Sequence, residues 1–425
     1  MTATRPDAGA PGRGAPPPAA AGSSDGLVLA LLVAAVSRLA VFAVGVLAPL
    51  LWRPHDVHPI MRFPELAEVY GGWLGRLLDP WAHFDGVWFL HIAAEGYKAS
   101  DNTPAFFPAY PMALRVAGLL LGGAYELAGV LLSVVLFLAA VAVLYRLVAA
   151  DFTPRIAFWT VAFLAFSPVS FFFQSIYSES LFLLASVACF AFARRGRWAL
   201  AALAGMVATV TRLAGVFLLV PMALFFVQGY DRRDPRRDRP LLWFLLVPAG
   251  VAGYALYLSL ATSSDFGTAE RAWGREPTVP FFTVWTAAVR AFQGASQLLT
   301  GHGVPPDPAY VRETLAFIQR ETAVVNLASF AALVVAVALL GLAWRRLPLA
   351  YSLYALAIVC LPLFAPRTQV PLMSMPRFVV IAFPVMVALA VLTERRPVLR
   401  WAALAVSVAA LVFFAGRFAL WLFVA

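Results

Sequence analysis

Residues 81–111 read WAHFDGVWFLHIAAEGYKASDNTPAFFPAYP. This stretch is polar by the standard of the chain, it lies between two long apolar runs, and Asp85 stands within its aromatic residues. Most of the remaining sequence consists of apolar segments that suit helices in hydrocarbon. Chemistry that needs charged or hydrogen-bonding side chains is therefore to be sought first in this stretch.

The composition is that of a membrane protein. Of 425 residues, 62% are hydrophobic and 13% are charged, and the mean hydropathy is +0.82. Repeated apolar runs of this kind predict transmembrane helices, and the length suggests one polytopic domain. The formal net charge of +10 comes from arginines in short segments between apolar runs. That pattern is typical of topology determinants, so we expect no nucleic-acid partner.

The rare residue types give further expectations. Lys98 is the only lysine among 32 basic residues, a bias that favours GC-rich coding and hence a high-GC bacterium. Cys189 and Cys360 lie far apart in apolar runs, which predicts neither a disulfide framework nor a thiolate metal site.

Residues 1–26 are rich in Pro, Ala, Gly and Ser and are predicted to be a disordered cytoplasmic tail. Residues 27–425 are predicted to form a single transmembrane domain.

The apolar runs predict a bundle of about eleven crossings, each near 20 residues in length. One run, 198–228, is too long for one crossing, and we expect a pair of short helices that turn near Thr211-Arg212-Leu213. The predicted spans are 27–51, 127–149, 155–173, 178–193, 198–228, 241–261, 325–344, 348–364, 377–393 and 400–424.

The arginines predict which side each loop occupies. Five basic clusters, near 146–155, 194–197, 232–239, 345–346 and 395–400, belong on the cytoplasmic face by the positive-inside rule. The N-terminus is then inside, the C-terminus is outside, and the longest outer loops are 52–126 and 262–324.

This topology brings five ionisable residues to the outer face: Asp85, Glu179, Arg212, Arg367 and Arg377. Charges at span ends can simply anchor helices at the interface. However, arginines beside apolar sequence on the outer side are disfavoured unless they are paired or face a wet cavity, and this favours a functional site.

The first outer loop is predicted to carry short interfacial helices. Residues 64–78 have an apolar stripe at helical spacing. A second helix is expected over 86–95, with Asp85 as its N-cap and Gly96 ending it. The aromatic residues that follow, up to Pro111, suit either sugar binding or interfacial anchoring.

Three stretches together resemble the PIG-V family, the glycosylphosphatidylinositol mannosyltransferase 2 group of the GT-C superfamily, and its bacterial relatives. They are similar to the family's motifs in family order, although Phe84 stands where the family usually has tryptophan, Asp101 stands where it has glutamate, and Leu213-Ala214 replaces a polar pair. The matching residues are Phe84-Asp85, Phe89 to Ala93, Gly96-Tyr97 and Ala105 to Pro108 with Pro111; Ser167-Pro168, Tyr177-Ser178-Glu179, Arg195-Gly196 and Thr211-Arg212 with Gly215; and Met375 to Phe378 with Phe383-Pro384.

The resemblance implies a GT-C-like fold and transfer of mannose from polyprenyl-phosphate-mannose with inversion. A lipid-linked donor also fits an outward-facing site, since nucleotide sugars stay in the cytoplasm and no glycine-rich phosphate loop is present. Asp85 is then the candidate general base, and Arg212 and Arg377, with Arg367 as a weaker candidate, would bind the donor phosphate. Glu179, Tyr177, His91 and Tyr97 are candidate contacts to sugar or acceptor.

Several alternatives stay open. A transporter or flippase would also have many spans and outward polar residues, although no internal repeat is evident, and a non-catalytic scaffold would have no need of Asp85. The acceptor can be a glycolipid, a glycan or a protein. We expect no cofactor and no metal, because only His55 and His58 are closely spaced among five histidines.

Overall fold

The computed structural model describes residues 24–52, 72–98, 101–229, 240–262, 276–300 and 312–424. These residues form α-helices joined by short loops and 3₁₀ turns, and no β-strand occurs among them. The prediction of an all-α polytopic membrane protein is confirmed. The helices are α1 (Ser24–Leu51), α2 (Gly72–Leu78), α3 (Asp85–Glu95), α4 (Ala109–Leu120), α5 (Tyr125–Asp151), α6 (Pro154–Ala165), α7 (Glu179–Arg194), α8 (Trp198–Thr209), α9 (Leu219–Gln228), α10 (Pro240–Phe244), α11 (Leu246–Tyr257), α12 (Pro280–Thr300), α13 (Arg312–Ala343), α14 (Leu349–Cys360), α15 (Met375–Ile381), α16 (Pro384–Thr393) and α17 (Pro397–Ala419).

By length and composition alone, five helices within the described ranges can cross a membrane, or six if one bent pair counts as a span. The number of crossings therefore stays a prediction. Shorter apolar helices, including α4, α6 and α8, accompany the long ones. The five long segments are Ser24–Leu51, Tyr125–Asp151, Leu241–Thr262, Arg320–Ala343 and Pro397–Ala419.

Two predicted spans are interrupted by proline. The expected span 377–393 is two helices, α15 and α16, whose axes differ by 71°. Pro384 begins α16, and its ring nitrogen has no hydrogen to continue the helix from α15. The expected span 155–173 ends at Ala165 and continues as the 3₁₀ turn Ser170–Phe173, because the residue before Pro168 is disfavoured in a helix.

The predicted pair of short helices over 198–228 is confirmed. Helix α8 ends at Thr209, Arg212 is extended with φ −157° and ψ 141°, and the 3₁₀ turn Leu213–Leu218 leads into α9. Gly215 permits this fold-back, since a Cβ there would lie 2.4 Å from the backbone nitrogen of Thr209. The turn therefore needs glycine at this position.

Several predictions concern residues outside the described ranges: the tail up to residue 23, most of the predicted helix 64–78, the basic loop 230–239, and His55 with His58. The described part of 64–78 is helical, as α2. Helix α13 begins at Arg312 rather than near 325, so part of the predicted outer loop 262–324 is helical. The same loop also contains α12, which packs on α13 where Gly294 meets Ala323.

A buried arginine fixes the chain that leads to the candidate site. Arg38, in the middle of α1, donates from its Nη2 to the carbonyl of Ala165 and to the Ser170 hydroxyl, both at 2.9 Å, and from its Nη1 to the Ser170 carbonyl. Its guanidinium also lies 4.8 Å from the ring centre of Phe137. A charge at this depth is tolerated because both terminal nitrogens of the guanidinium donate to protein acceptors. The segment between α6 and α7 is held in place as a result.

Candidate active site

The carboxylate of Asp85 is held by an ion pair and does not cap a helix. Helix α3 begins at Asp85, and its N-cap residue is Phe84, which makes no side-chain cap bond. The prediction of Asp85 as N-cap is therefore wrong by one residue. Asp85 Oδ2 instead accepts a hydrogen bond of 2.6 Å from Arg377 Nη1, a charge-assisted contact stronger than a neutral cap bond. The predicted end of this helix at Gly96 is confirmed.

Tyr177 braces the turn that carries Asp85. Phe84 has φ 54°, a left-handed value that is strained for an aromatic residue. The Tyr177 hydroxyl accepts from the backbone N–H of Asp85 at 3.1 Å and donates to the carbonyl of His83 at 3.1 Å. One buried phenol thus bonds to the chain on both sides of the strained residue. This fixes where α3 begins and where the Asp85 carboxylate lies.

Arg377 joins the two acidic residues. Its Nε donates to Glu179 Oε1 and its Nη1 to Asp85 Oδ2, each at 2.6 Å. The guanidinium carbon lies 5.0 Å from the ring centre of Phe172 and 4.8 Å from that of Tyr177. The aromatic faces and the two carboxylates together compensate the charge of a side chain that is only 7% exposed.

Glu179 lies at the centre of the site and is fully buried. Its Oε1 accepts from both Arg212 Nη1 and Arg377 Nε at 2.6 Å, while Oε2 has no hydrogen-bond partner among the described residues. The residue also opens α7, and the positive end of a helix dipole favours a carboxylate there.

Arg212 completes a cluster of four charges. It is 15% exposed and its guanidinium carbon lies 5.5 Å from the ring centre of Phe378. We call Asp85, Glu179, Arg212 and Arg377 the charge cluster. Asp85, at 21%, and Arg212 are its most exposed members.

The charge cluster connects residues that three separate sequence stretches had singled out. A family model described as Mannosyltransferase (PIG-V) matches residues 30–258, more than half of the chain. The chain belongs to the PIG-V mannosyltransferase family. The predicted resemblance is confirmed, and the match contains Asp85, Glu179 and Arg212, while Arg377 lies beyond it.

Two curated relatives of this PIG-V family member carry the name GPI mannosyltransferase 2. The protein of Drosophila pseudoobscura pseudoobscura is 32% identical over 172 residues, which cover 36% of this chain and 38% of the relative. The protein of Drosophila melanogaster is 31% identical over 152 residues, which cover 32% of this chain and 33% of the relative. The chain thus spans less than two-fifths of either relative's length.

Among solved structures, the oligosaccharyltransferase of Archaeoglobus fulgidus is similar at low identity. Its complex with Zn and sulfate is 15% identical, with a TM-score of 0.44 over 93% of this chain and 53% of that chain. Its complex with an inhibitory peptide and a dolichol-phosphate is 13% identical, with a TM-score of 0.40 over 93% of this chain and 55% of that chain.

The other candidate residues of the PIG-V family member have hydrogen-bond partners outside the charge cluster. Arg367 is exposed, and its Nη1 lies 3.5 Å from the sulfur of Met373. His91 Nε2 is 3.3 Å from Asp101 Oδ2. Tyr97 donates to the carbonyl of Phe106 at 2.9 Å.

His91 and Tyr97 hold the loop that follows α3. Asp101, which faces His91, also accepts from the N–H of Thr103 at 2.8 Å through its other oxygen. Tyr254 of α11 donates to the carbonyl of Phe106 at 2.8 Å, the acceptor that Tyr97 also uses. Burial, together with Tyr254, raises the pKa of Tyr97 above its ordinary value. Its phenol therefore stays protonated and keeps donating to the loop.

Sequence reasoning missed the aromatic residues at the C-terminal end. Trp421 stacks on His83 with ring centres 3.7 Å apart, and Phe423 meets Phe84 edge-on at 5.5 Å. Nearby, Arg417 forms an ion pair with Glu321. Arg417 could have been found, because it lies in an apolar span near the predicted outer end, as Arg377 does.

Proposed function

We propose that this protein is a membrane glycosyltransferase that moves mannose from a polyprenyl-phosphate-mannose donor to an acceptor hydroxyl on the extracytoplasmic side, with inversion. The charge cluster is the observation that carries the proposal. Two carboxylates and two guanidinium groups from distant parts of the chain meet there, partly open to ligand. Membership of the PIG-V family supports mannose as the sugar.

Two arginines beside each other suit a phosphate ligand. A guanidinium donates two parallel hydrogen bonds to phosphate oxygens and stays charged in a low dielectric. Arg212 is the better first contact, because among the described residues its guanidinium hydrogen-bonds only to Glu179, and it is partly exposed. A lipid-linked donor would keep its polyprenyl chain among the apolar helices while its phosphate reaches this residue.

Donor binding would also free the base. Asp85 shares Arg377 with Glu179. An incoming phosphate competes with Asp85 for the Nη groups of Arg377, because both are anionic acceptors. Asp85 would then turn to the acceptor hydroxyl, while Glu179 keeps Arg377 in place through Nε.

The proposed transfer step needs only the donor, the acceptor and the side chains of the charge cluster. The acceptor oxygen forms a bond to the anomeric carbon as its proton passes to the Asp85 carboxylate. The bond between the anomeric carbon and the phosphate oxygen breaks, and polyprenyl phosphate leaves with the electron pair. Arg212 and Arg377 stabilise the charge on the departing phosphate. The acceptor is a hydroxyl of a glycolipid, a glycan or a protein.

The direct test is a membrane assay with radiolabelled polyprenyl-phosphate-mannose, with identification of the labelled product. We expect label in a new glycosidic product whose anomeric configuration is the reverse of the donor's. If label crosses the bilayer unchanged and no product forms, the protein is a flippase and the proposal fails. Glu95→Gln, an exposed carboxylate at the far end of α3, is the matched control and should transfer mannose like the wild type.

The donor phosphate is tested at Arg212. Arg212→Ala should raise the KM for the donor more than tenfold, because a charge-assisted phosphate contact contributes about 1.5–3 kcal/mol. Arg212→Lys should recover only part of this loss, since the two-pronged geometry is missing. Arg115→Ala removes an exposed arginine from α4 and serves as the control. An unchanged KM in Arg212→Ala would remove this residue from donor binding.

A further inference from the structure

A second site lies between α5 and α7, at the end of α7 opposite to Glu179. It is a cavity of about 140 Å³ that is open to the surroundings. Three arginines, Arg146, Arg194 and Arg195, stand beside apolar side chains in its wall. Fifteen residues separate Glu179 from Arg194, which places the cavity about 22 Å along the helix from the charge cluster.

Of the three arginines of this cavity, one is paired with an acidic residue and two have no acidic partner among the described residues. Arg194 forms an ion pair with Asp151 and donates to the carbonyl of Ala150 at 3.2 Å. Asp151 accepts in addition from the Tyr351 hydroxyl at 2.6 Å. Arg146 and Arg195 are exposed, and their guanidinium groups have no side-chain partner within the described ranges. An anion would therefore find two available guanidinium groups here.

An apolar helix face leads directly to this cavity. Val135 of α5 is 62% exposed and Leu131 is 48% exposed, and in a helix that can span a membrane such residues face lipid. Arg146 follows Val135 by eleven residues, three turns later and only about 20° around the helix. A hydrocarbon chain that lies along this face of α5 would thus have its end at Arg146.

We propose that this cavity binds the headgroup of an anionic phospholipid. The phosphate would accept hydrogen bonds from Arg146 and Arg195, the glycerol end would rest on apolar wall residues such as Phe192, and the acyl chains would follow the exposed face of α5. Basic pockets between transmembrane helices bind such headgroups. A free phosphate ion would use the arginines but leave the apolar face without a partner. The charge cluster contributes no residue, so this site is independent of the proposed transfer reaction.

Native mass spectrometry of the full chain, after exchange into mixed micelles of phosphatidylglycerol and phosphatidylcholine, tests the proposal. We expect the wild type to retain phosphatidylglycerol over phosphatidylcholine. The double variant Arg146→Gln/Arg195→Gln should lose at least about tenfold of that preference, the equivalent of about 1.4 kcal/mol. Arg345→Gln/Arg346→Gln removes the same charge from two exposed arginines elsewhere and should retain the lipid.

Three results would overturn the proposal. Equal retention of both lipids by the wild type would mean that the cavity does not select lipids by the charge of their headgroup. Undiminished phosphatidylglycerol retention in the cavity variant would place the lipid elsewhere. Displacement of the lipid by millimolar inorganic phosphate would assign the site to a soluble anion. Mannose transfer by the double variant gives a separate check that the protein is folded.

Discussion

Two separate contacts hold Asp85, one through its carboxylate and one through its backbone. Its charge holds Arg377 through Oδ2, and its backbone N–H is held by Tyr177. The backbone contact sets the position of the residue, and the carboxylate supplies its proposed chemistry. A substitution of Asp85 and a substitution of Tyr177 can therefore test the two contacts separately.

Asp85→Asn should remove the base and leave the site assembled. Asparagine has nearly the same size, and its amide oxygen can still accept from Arg377, so we expect normal insertion. The rate constant kcat should fall by about 10²–10⁴-fold, the usual contribution of a general base. The KM for the donor should not rise, since the cluster loses one negative charge. Steady-state kinetics on purified protein measures both parameters, and a kcat equal to that of wild type would exclude Asp85 as the base.

Tyr177→Phe should act through the position of Asp85. The change keeps the ring that lies against Arg377 and deletes only the hydroxyl that bonds to both sides of Phe84. We expect kcat to fall about tenfold or more, because a displaced catalytic group loses its alignment, with little change in the KM for the donor. A rise in KM with an unchanged kcat would instead mean that Tyr177 contacts the substrate, as the sequence had suggested.

At the scale of elements, the site depends on interruptions of helices. Asp85 follows a strained residue at the start of α3, Arg212 lies in the break after α8, and Arg377 lies in the short helix before the 71° bend. Ser374, at the N-cap position of α15, also has positive φ, at 69°. Backbone strain of this kind collects at functional sites.

Gly215→Ala should disturb the break that positions Arg212. The added methyl group would lie 2.4 Å from the backbone of Thr209, and backbone cannot move aside as a flexible side chain can. We expect a loss of about 1–3 kcal/mol of stability, the usual cost of overpacking, and a raised KM for the donor. Thermal unfolding in detergent measures the stability.

The control for this variant is Gly253→Ala in α11, where an added methyl group meets nothing within 4 Å. Alanine is the better helix former by about 1 kcal/mol, so this change should leave the melting temperature equal or higher. Equal melting temperatures for wild type and Gly215→Ala would show that the fold-back adapts to a side chain.

The sequence predicted the elements better than their ends and contacts. The break near Arg212 was predictable because the apolar run 198–228 is too long for one crossing. The end of α3 was predictable because glycine at position 96 is a local signal for the end of a helix. The N-cap at Phe84 was not, since a residue with φ 54° and an aromatic side chain has no local signal. Arg367 and Arg377 were alike as outer-face arginines, and only the tertiary fold separates them, with the partner of Arg377 292 positions away.

For the whole molecule, the proposed chemistry requires that the charge cluster and the basic loops lie on opposite sides of the membrane. Five arginines fall within residues 230–240, and such a loop resists translocation. Arg115 of α4 lies in the predicted outer loop 52–126. The two positions therefore report on opposite faces.

Cysteine labelling in intact cells checks this arrangement. In a background without Cys189 and Cys360, Arg115→Cys should react with a membrane-impermeant maleimide, and Arg236→Cys should react only after the membrane is opened. Labelling of Arg236→Cys from outside would show that the predicted topology is inverted. The proposal of an extracytoplasmic donor would then fail as well. Mannose transfer by both variants would confirm that they are folded.

The sharing of Glu179 by two arginines has a consequence for biosynthesis. Arg212 is made 33 residues after Glu179, whereas Arg377 follows only after 198 residues. While the ribosome is still producing the second half of the chain, Arg212 is the sole cluster cation that can neutralise Glu179, and an uncompensated carboxylate among apolar helices is costly. We therefore expect Arg212 to be the counter-ion of Glu179 during insertion, and Arg377, which is made later, to join Glu179 to Asp85 in the folded protein.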